Sequence, residues 1–286
     1  MSIRKATVND TFVIRQLHDM CLTTDVDLTN IYFSRVYKPE NALVCIDGGH
    51  IVACAELLPA NARLNNRTLR CGLLINIMTH PDYRGLGHMT RLLEAVDAEA
   101  KSRYYNFIFV NQTKDECIEH FLQKRGFAPA FGKKMTEITV EPRSSSRITT
   151  LIETDEPMIR KHNYKHYIVL EKECIEAQVE YLRTCRDRTS YTIMLRNTSG
   201  LKIAWALGWR DSYDHFTALA YYGKSGDINS LISNLCRQRN FTDKVKVMLP
   251  QNENGCHYGM AKLLNDKSTM KDLDDLCPEM TFAGIM

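Results

Sequence analysis

An apolar, strand-length run from Cys71 to Thr79 leads without a spacer into His80-Pro81-Asp82-Tyr83-Arg84-Gly85-Leu86-Gly87. A helix follows in which Met89, Leu92, Leu93, Val96 and Ala100 share one face. This strand–turn–helix junction constrains the fold more than any other stretch of the chain. A helix N-terminus offers unpaired backbone N–H groups and a partial positive charge, which suits a phosphate or pyrophosphate. Gly85 and Gly87 have no side chain to hold an anion off the backbone. Arg84 adds permanent positive charge beside them, and Pro81 and Tyr83 shape the turn. The same two glycines also suit an ordinary left-handed turn. Other phosphate loops fit less well: G-x-G-x-x-G needs glycine where the chain has Thr90, and the Walker Gly-Lys-Ser/Thr is absent from this turn.

The flanking pattern is mixed α/β (α+β). Asn9-Asp10 is a helix cap followed by Val13, Leu17, Met20 and Cys21 at helical spacing. Ala42 to Ile46 and Ile51 to Ala55 flank Asp47-Gly48-Gly49-His50 and read as a β-hairpin. Phe107 to Val110 reads as a further strand. A short helix then carries Ile118, Phe121 and Leu122 and stops at Gly126. Glu141 to Arg147, with one Pro and three Ser, reads as a linker. Beyond it the order repeats: a hairpin of 191–195 and 201–209, a strand at 215–222, a helix with Ile228, Leu231, Ile232 and Leu235 on one face, and a strand at 245–249. Two domains are expected, residues 1–142 and 143–286.

Composition narrows the partners. A net charge of +3 gives no pointer to nucleic acid or an anionic membrane, so neither is expected. No apolar run approaches the roughly 20 residues of a membrane-spanning helix, and Met1 to Thr7 lacks the apolar core of a signal peptide. A cytoplasmic protein is the expectation. None of the 10 Cys residues is spaced C-x-x-C, so no metal site is expected, and Cys45, Cys54 and Cys71 read as buried thiols within strands.

The run His80 to Gly87 resembles the acyl-CoA motif Arg/Gln-x-x-Gly-x-Gly/Ala of the GNAT N-acetyltransferase superfamily, with Met89 in place of the final small residue. Phe121-Leu122-Gln123-Lys124-Arg125-Gly126-Phe127 is similar to that family's Phe-Tyr-x-Lys-x-Gly-Phe element, and the element order agrees over roughly residues 3–140. Ile77-Met78-Thr79-His80-Pro81 with the motif is similar to the two-domain, enhanced-intracellular-survival-type acetyltransferases. The resemblance implies a GNAT-like mixed central sheet flanked by helices, followed by a second, degenerate GNAT-like domain. It implies an acetyl-CoA-dependent N-acetyltransferase with acetyl-CoA as co-substrate and a small-molecule or peptide amine as acceptor, and leaves a homo-oligomer open.

By position, the resemblance implies that Ile77, Met78 and Thr79 pair with the pantetheine arm. Arg84, Gly85, Leu86, Gly87, His88 and Met89 hold the pyrophosphate, and Asn111 lies near the pantetheine. Met78 N–H is the expected oxyanion donor. Two carboxylates are candidate bases: Glu56, at the end of a hairpin strand, and the terminal carboxylate of Met286, since the chain terminus reaches the catalytic site in the two-domain relatives. Leu122 stands where the family has its tyrosine acid, and Tyr104 or Tyr105 are substitutes without an anchor. His80 and His88 flank the turn as candidates for phosphate contact or proton transfer, against a capping or surface role. In the second half, Asp227 opens the equivalent helix with a negative charge, which is poor anion binding. One CoA site per chain is therefore expected, in the first half. Two other readings stay open: a CoA-binding module without turnover, and a tandem-domain transferase with another acyl or aminoacyl donor.

Overall fold

The computed structural model describes residues 1–22, 24–64, 66–111, 116–131, 133–140, 151–153, 167–184, 189–196, 202–210, 216–222, 245–252, 259–265, 269–274 and 276–278. They fall into two compact units, one of Met1–Gly132, His166–Cys174 and Gly255–Met286, the other of Lys133–Lys165 and Ile175–Asn254.

The first stretch of the chain supplies β1 (Ser2–Lys5), α1 (Thr11–Cys21), α2 (Val26–Ile31), β2 (Ala42–Asp47), β3 (His50–Leu64) and β4 (Arg67–Thr79). After these come α3 (His88–Ser102), β5 (Phe107–Asn111), α4 (Glu116–Gln123) and β6 (Ala128–Ala130). The hairpin turn between β2 and β3 forms where Gly48 and Gly49 allow it, with φ of 53° and 84°. From β1 to β4 the neighbours are antiparallel, and β4 pairs parallel with β5. Such a parallel step needs a crossover, and α3 is that crossover. Alternation along β3 sends Ala53, Ala55 and Leu57 to one face, where they meet Leu92, Leu93, Val96 and Ala100 of α3 in the core. Cys54 and Glu56 point to the opposite face.

Two sequence expectations differ from the structure. The pattern predicts a second hairpin strand ending at Ala55, yet β3 runs to Leu64. From Leu58 onward its residues alternate between buried and more exposed, so its polar residues lie on the outer face and hide the strand. In α1 the buried residues are Ile14, Leu17 and His18, while Val13 and Met20 are exposed. The helix begins at Thr11 with Asp10 at its N-cap position, as the cap suggests, while the Asp10 side chain accepts from Thr7 N–H in the preceding 3-10 turn, Val8–Asp10.

Downstream lie β7 (Lys133–Val140), β8 (Leu151–Glu153), β9 (Tyr167–Leu170), α5 (Lys172–Thr184), β10 (Thr189–Arg196), β11 (Lys202–Arg210), β12 (Phe216–Tyr222), β13 (Val245–Asn252), β14 (Gly259–Leu263) and β15 (Cys277–Pro278). The second unit's sheet runs β7-β13-β12-β11-β10-β8. Within it β10, β11 and β12 are antiparallel neighbours and β12 pairs parallel with β13. The order antiparallel, antiparallel, parallel thus occurs in both sheets. The helix expected around Ile228 to Leu235 lies outside the described residues.

A single cut at 142/143 does not separate the units. β14 inserts between β5 and β6 of the first sheet, and β9 pairs with the outer half of β3. In exchange, β7 joins β13 in the second sheet. Period-two patterning marks a strand but carries no address for its partner.

Candidate functional site

β4 carries the feature that opens the site. Met78 faces Cys54 and Ile75 faces Glu56, so Asn76 and Ile77 together oppose the single residue Ala55. This is a β-bulge, which bends the strand and increases its twist. Asn76 sits in the left-handed region at φ 49°, a conformation asparagine tolerates better than most residues. β4 and β5 are paired only at Cys71–Phe107, Gly72–Ile108 and Leu73–Phe109. Beyond Leu73, β4 continues to Thr79 with no rung to β5, so the two strands part and leave a cleft between their facing edges.

The ladder decides which backbone groups face that cleft. His80 N–H donates to Val52 O at 2.9 Å, and Thr79 faces Ala53 while Met78 faces Cys54. Strict alternation then turns Met78 N–H toward Cys54 on β3 and turns Ile77 and Thr79 toward the cleft. The Thr79 carbonyl agrees: it accepts from Arg84 Nε at 3.2 Å and from Cys21 Sγ at 3.3 Å, both outside the ladder. On this alternation the Met78 N–H lies on the β3 side of the strand and those of Ile77 and Thr79 on the other.

The turn after β4 is built as the sequence suggests. His80 caps a short 3-10 turn, Pro81–Tyr83, its Nδ1 accepting from Asp82 N–H at 3.3 Å. The His80 and Tyr83 rings meet edge to face, 5.5 Å apart. Gly85 and Gly87 have φ of 77° and 80°, and a Cβ on either would meet nothing within 4 Å. The first helical bond of α3 runs from Arg91 N–H to Gly87 O. Among the described residues, the N–H groups of Gly85, Leu86, Gly87, His88, Met89 and Thr90 donate to no protein acceptor. Arg84, Gly85, Leu86 and Gly87 are exposed. Six amides without a protein acceptor, two residues without a Cβ and one guanidinium thus lie together on an exposed turn, a donor set that suits an anion such as a pyrophosphate.

The two histidines belong to the scaffold. His88 is buried, with Nε2 3.5 Å from Asp47 Oδ2 and Nδ1 3.7 Å from Cys45 Sγ, so only its backbone faces the turn. The first turn of α3 is tied to the end of α4: Arg125 donates Nη2 to Thr90 Oγ1 and Nη1 to Phe121 O at 2.7 Å. Its guanidinium carbon lies 3.5 Å from the Phe121 ring centroid. Leu122 lies in the apolar core with Leu92, Leu93 and Val110. Tyr105 packs beside Gly72, about 23 Å along β4 from Thr79 at the usual strand rise, and Tyr104 is exposed in the same corner. Neither tyrosine can reach the junction.

At the end of β5, Asn111 has both side-chain polar atoms buried and without a partner among the described residues. Buried amide groups are rarely left so; a ligand amide in the cleft would satisfy them. Glu56 is fully buried on the face opposite α3. Its Oε1 accepts from Asn76 Nδ2 at 2.8 Å and its Oε2 from Tyr32 Oη at 2.5 Å. Burial pushes its carboxyl up to about 7, opposed by these two hydrogen bonds. Tyr32 opens a π-helical turn, Tyr32–Val36, that continues α2. The sequence singles out neither Tyr32 nor Asn76. The signal available is Asn76, a turn-forming residue in the middle of an apolar strand. Met286 lies outside the described residues.

A parallel strand pair that splays beyond Leu73, with an open helix N-terminus following β4, is the arrangement to set beside known proteins. Residues 2–130 match the family model described as an acetyltransferase (GNAT) domain. No curated protein sequence matches the chain. In fold it is similar to a GCN5-related N-acetyltransferase from Anabaena variabilis, at TM-score 0.71 and 13% identity over 92% of this chain and 73% of that one. It is similar to a probable N-acyltransferase from Enterococcus faecalis V583, at 0.73 and 9% over 92% and 72%. Eis1 from Mycobacterium abscessus matches at 0.67 and 9% over 93% and 74%. Among the described residues no helix is long and apolar enough to cross a membrane.

Proposed function

We propose that this chain is an N-acetyltransferase that moves acetyl from acetyl-CoA directly to an amine of a small-molecule or peptide acceptor. The carrying observation is that the unpaired edge of β4 and the six free amides of the β4–α3 turn meet at one place. A thioester arm terminated by a pyrophosphate needs both: backbone partners along an extended segment, and an anion cradle at its end. In this reading Arg84 and the amides from Gly85 to Thr90 hold the pyrophosphate. Ile77 and Thr79 pair with the pantetheine, and Asn111 takes one of its amides. As the amine attacks the carbonyl, negative charge grows on the oxygen, and a cleft-facing N–H of β4 is placed to stabilise it. The C–S bond then breaks and the thiolate leaves without a protein acid, since Leu122 is apolar and a thiolate is a moderately stable leaving group, while the proton lost by the attacking nitrogen passes to solvent water.

Calorimetry with acetyl-CoA tests the reading. One site per chain with a dissociation constant of roughly micromolar order is expected, the range in which such enzymes work; no heat of binding at any attainable concentration would overturn it. The core position of Leu122 favours one second reading, a CoA-binding protein without turnover. A panel of amine acceptors with free-thiol detection separates the two: thiol release that depends on an amine supports the transferase, and tight binding without release supports the binding protein.

A further inference from the structure

We propose that Glu56 is a positioning residue for the acyl-CoA cleft: with Tyr32 it clamps Asn76 and so holds the β4 bulge that decides which backbone N–H groups face the cofactor. The proposal rests on the reading above that the cleft takes an acyl-CoA.

Three observations carry it. First, the carboxylate is enclosed. β3 is flanked by β2 at Ala42 and by β4 at Ile75, Glu56 has no exposed surface, and both its oxygens are engaged. A base must touch the proton it takes or reach it through water, and Glu56 does neither. Second, its partner Asn76 is the bulge residue itself, buried and held at positive φ. Without the carboxylate the Asn76 amide would be stranded in the interior, and the left-handed turn would lose its tether. A regular strand in place of the bulge shifts the register by one. Such a slip turns every group to the other side: Met78 N–H would face the cleft, and those of Ile77 and Thr79 would face β3. Third, the other donor comes from a π-helical turn. These are rare and cluster at functional sites; this one directs Tyr32 Oη onto Glu56.

The chemistry also says which substitution should be silent. In Glu56→Gln the new side chain can accept from Asn76 through its oxygen and donate to Tyr32 through its amide, because a phenol accepts as well as donates. Asn76→Gly reaches the left-handed region without cost and leaves no amide to strand.

The experiment uses the full chain with CoA as probe, reading affinity by calorimetry and amide exchange at Ile77, Met78 and Thr79 by NMR. In the wild type the Met78 amide should be protected and those of Ile77 and Thr79 should exchange faster, with the difference narrowing when CoA is added. Glu56→Gln should keep this pattern and hold CoA affinity within about threefold. Glu56→Ala should lose protection at Met78 and weaken CoA by about tenfold or more, the scale of one lost hydrogen-bonded contact. The double variant Glu56→Ala with Asn76→Gly should recover both, and it decides the matter if the single variant fails to fold. Two results would overturn the proposal. One is Glu56→Gln with unchanged CoA affinity but turnover down about a hundredfold and its acid limb gone, the behaviour of a base. The other is Glu56→Ala with unchanged exchange and affinity. If the wild type does not bind CoA at all, the functional reading fails while the exchange pattern still decides whether Glu56 holds the bulge.

Discussion

At the scale of single residues, binding and folding separate cleanly at Gly87. Its φ of 80° strains any other side chain, yet an added Cβ meets nothing within 4 Å. Gly87→Ala therefore costs stability only through the backbone, about 1–2 kcal/mol. The methyl group would project into the space where the amides converge, so CoA affinity should fall by about tenfold or more. Thermal denaturation and calorimetry on the same sample check both halves, and unchanged affinity would place the anion elsewhere. Glu56 makes a second prediction, of sign. Its folded pKa is raised from 4.5 to about 7 by burial, so between these values the folded chain keeps a proton that the unfolded chain has released. Stability from this group is then full below about pH 4.5 and is lost as pH rises through 7, by about 3 kcal/mol in all. His18 acts the other way, since burial lowers its pKa and its contribution is lost as pH falls below 6.5. The wild-type profile mixes the two, and the difference between wild type and Glu56→Gln isolates Glu56. Relative to the variant, the wild type should lose about 3 kcal/mol from about pH 5 to about pH 8 in urea unfolding. A flat difference would mean that burial leaves Glu56 untouched.

At the scale of elements, the sequence discloses the parts whose chemistry is local. The turn from His80 to Gly87, the buried face of α3, the glycine hairpin between β2 and β3 and the cap at Gly126 follow from side-chain periodicity and from residues that tolerate positive φ. The bulge does not follow, because its register depends on two strands at once and only Asn76 hints at it. For the same reason one strand alone cannot say which edge an N–H faces: that takes the rung from Met78 to Cys54 together with the hydrogen bond from His80 to Val52. In the sequence Glu56 reads as a strand-end carboxylate, but β3 continues to Leu64, and a residue at a strand end differs in every physical respect from one at a strand centre. β14 escapes the sequence pattern for another reason. It is short, and its fit depends on Gly259, where an added Cβ would lie 2.3 Å from the Val110 backbone oxygen. A backbone atom between two paired strands cannot move aside. Gly259→Ala should therefore destabilise the first sheet by about 1–3 kcal/mol, read as a lower denaturation midpoint, and exchange should quicken at the amides of Phe107 to Asn111. A neutral effect would mean that β14 does not pair as described.

At the scale of the whole molecule, each sheet takes in a strand from the other half of the sequence: β14 enters the first and β7 the second. The internal repeat suggests two independent domains, and hydrophobic patterning cannot correct this, since β7 and β14 look alike to any test of alternation. The consequence can be measured. A fragment ending at Pro142 retains every residue of the anion cradle and the whole of the matched acetyltransferase domain, residues 2–130, but it lacks β14. The β5 strand from Phe107 to Asn111, paired along one edge with Gly259 to Leu263, would be left with a row of unpaired N–H and C=O groups, a strong template for aggregation. Beside it, Met260 and Ala261 would leave the core, removing roughly 2–3 kcal/mol of apolar burial. This fragment should give no cooperative thermal transition, should elute as aggregate and should not bind CoA, whereas the full chain should melt cooperatively. A fragment 1–142 that is monomeric, unfolds cooperatively and binds CoA as the full chain does would show that the first sheet closes without β14 and that the two halves fold separately.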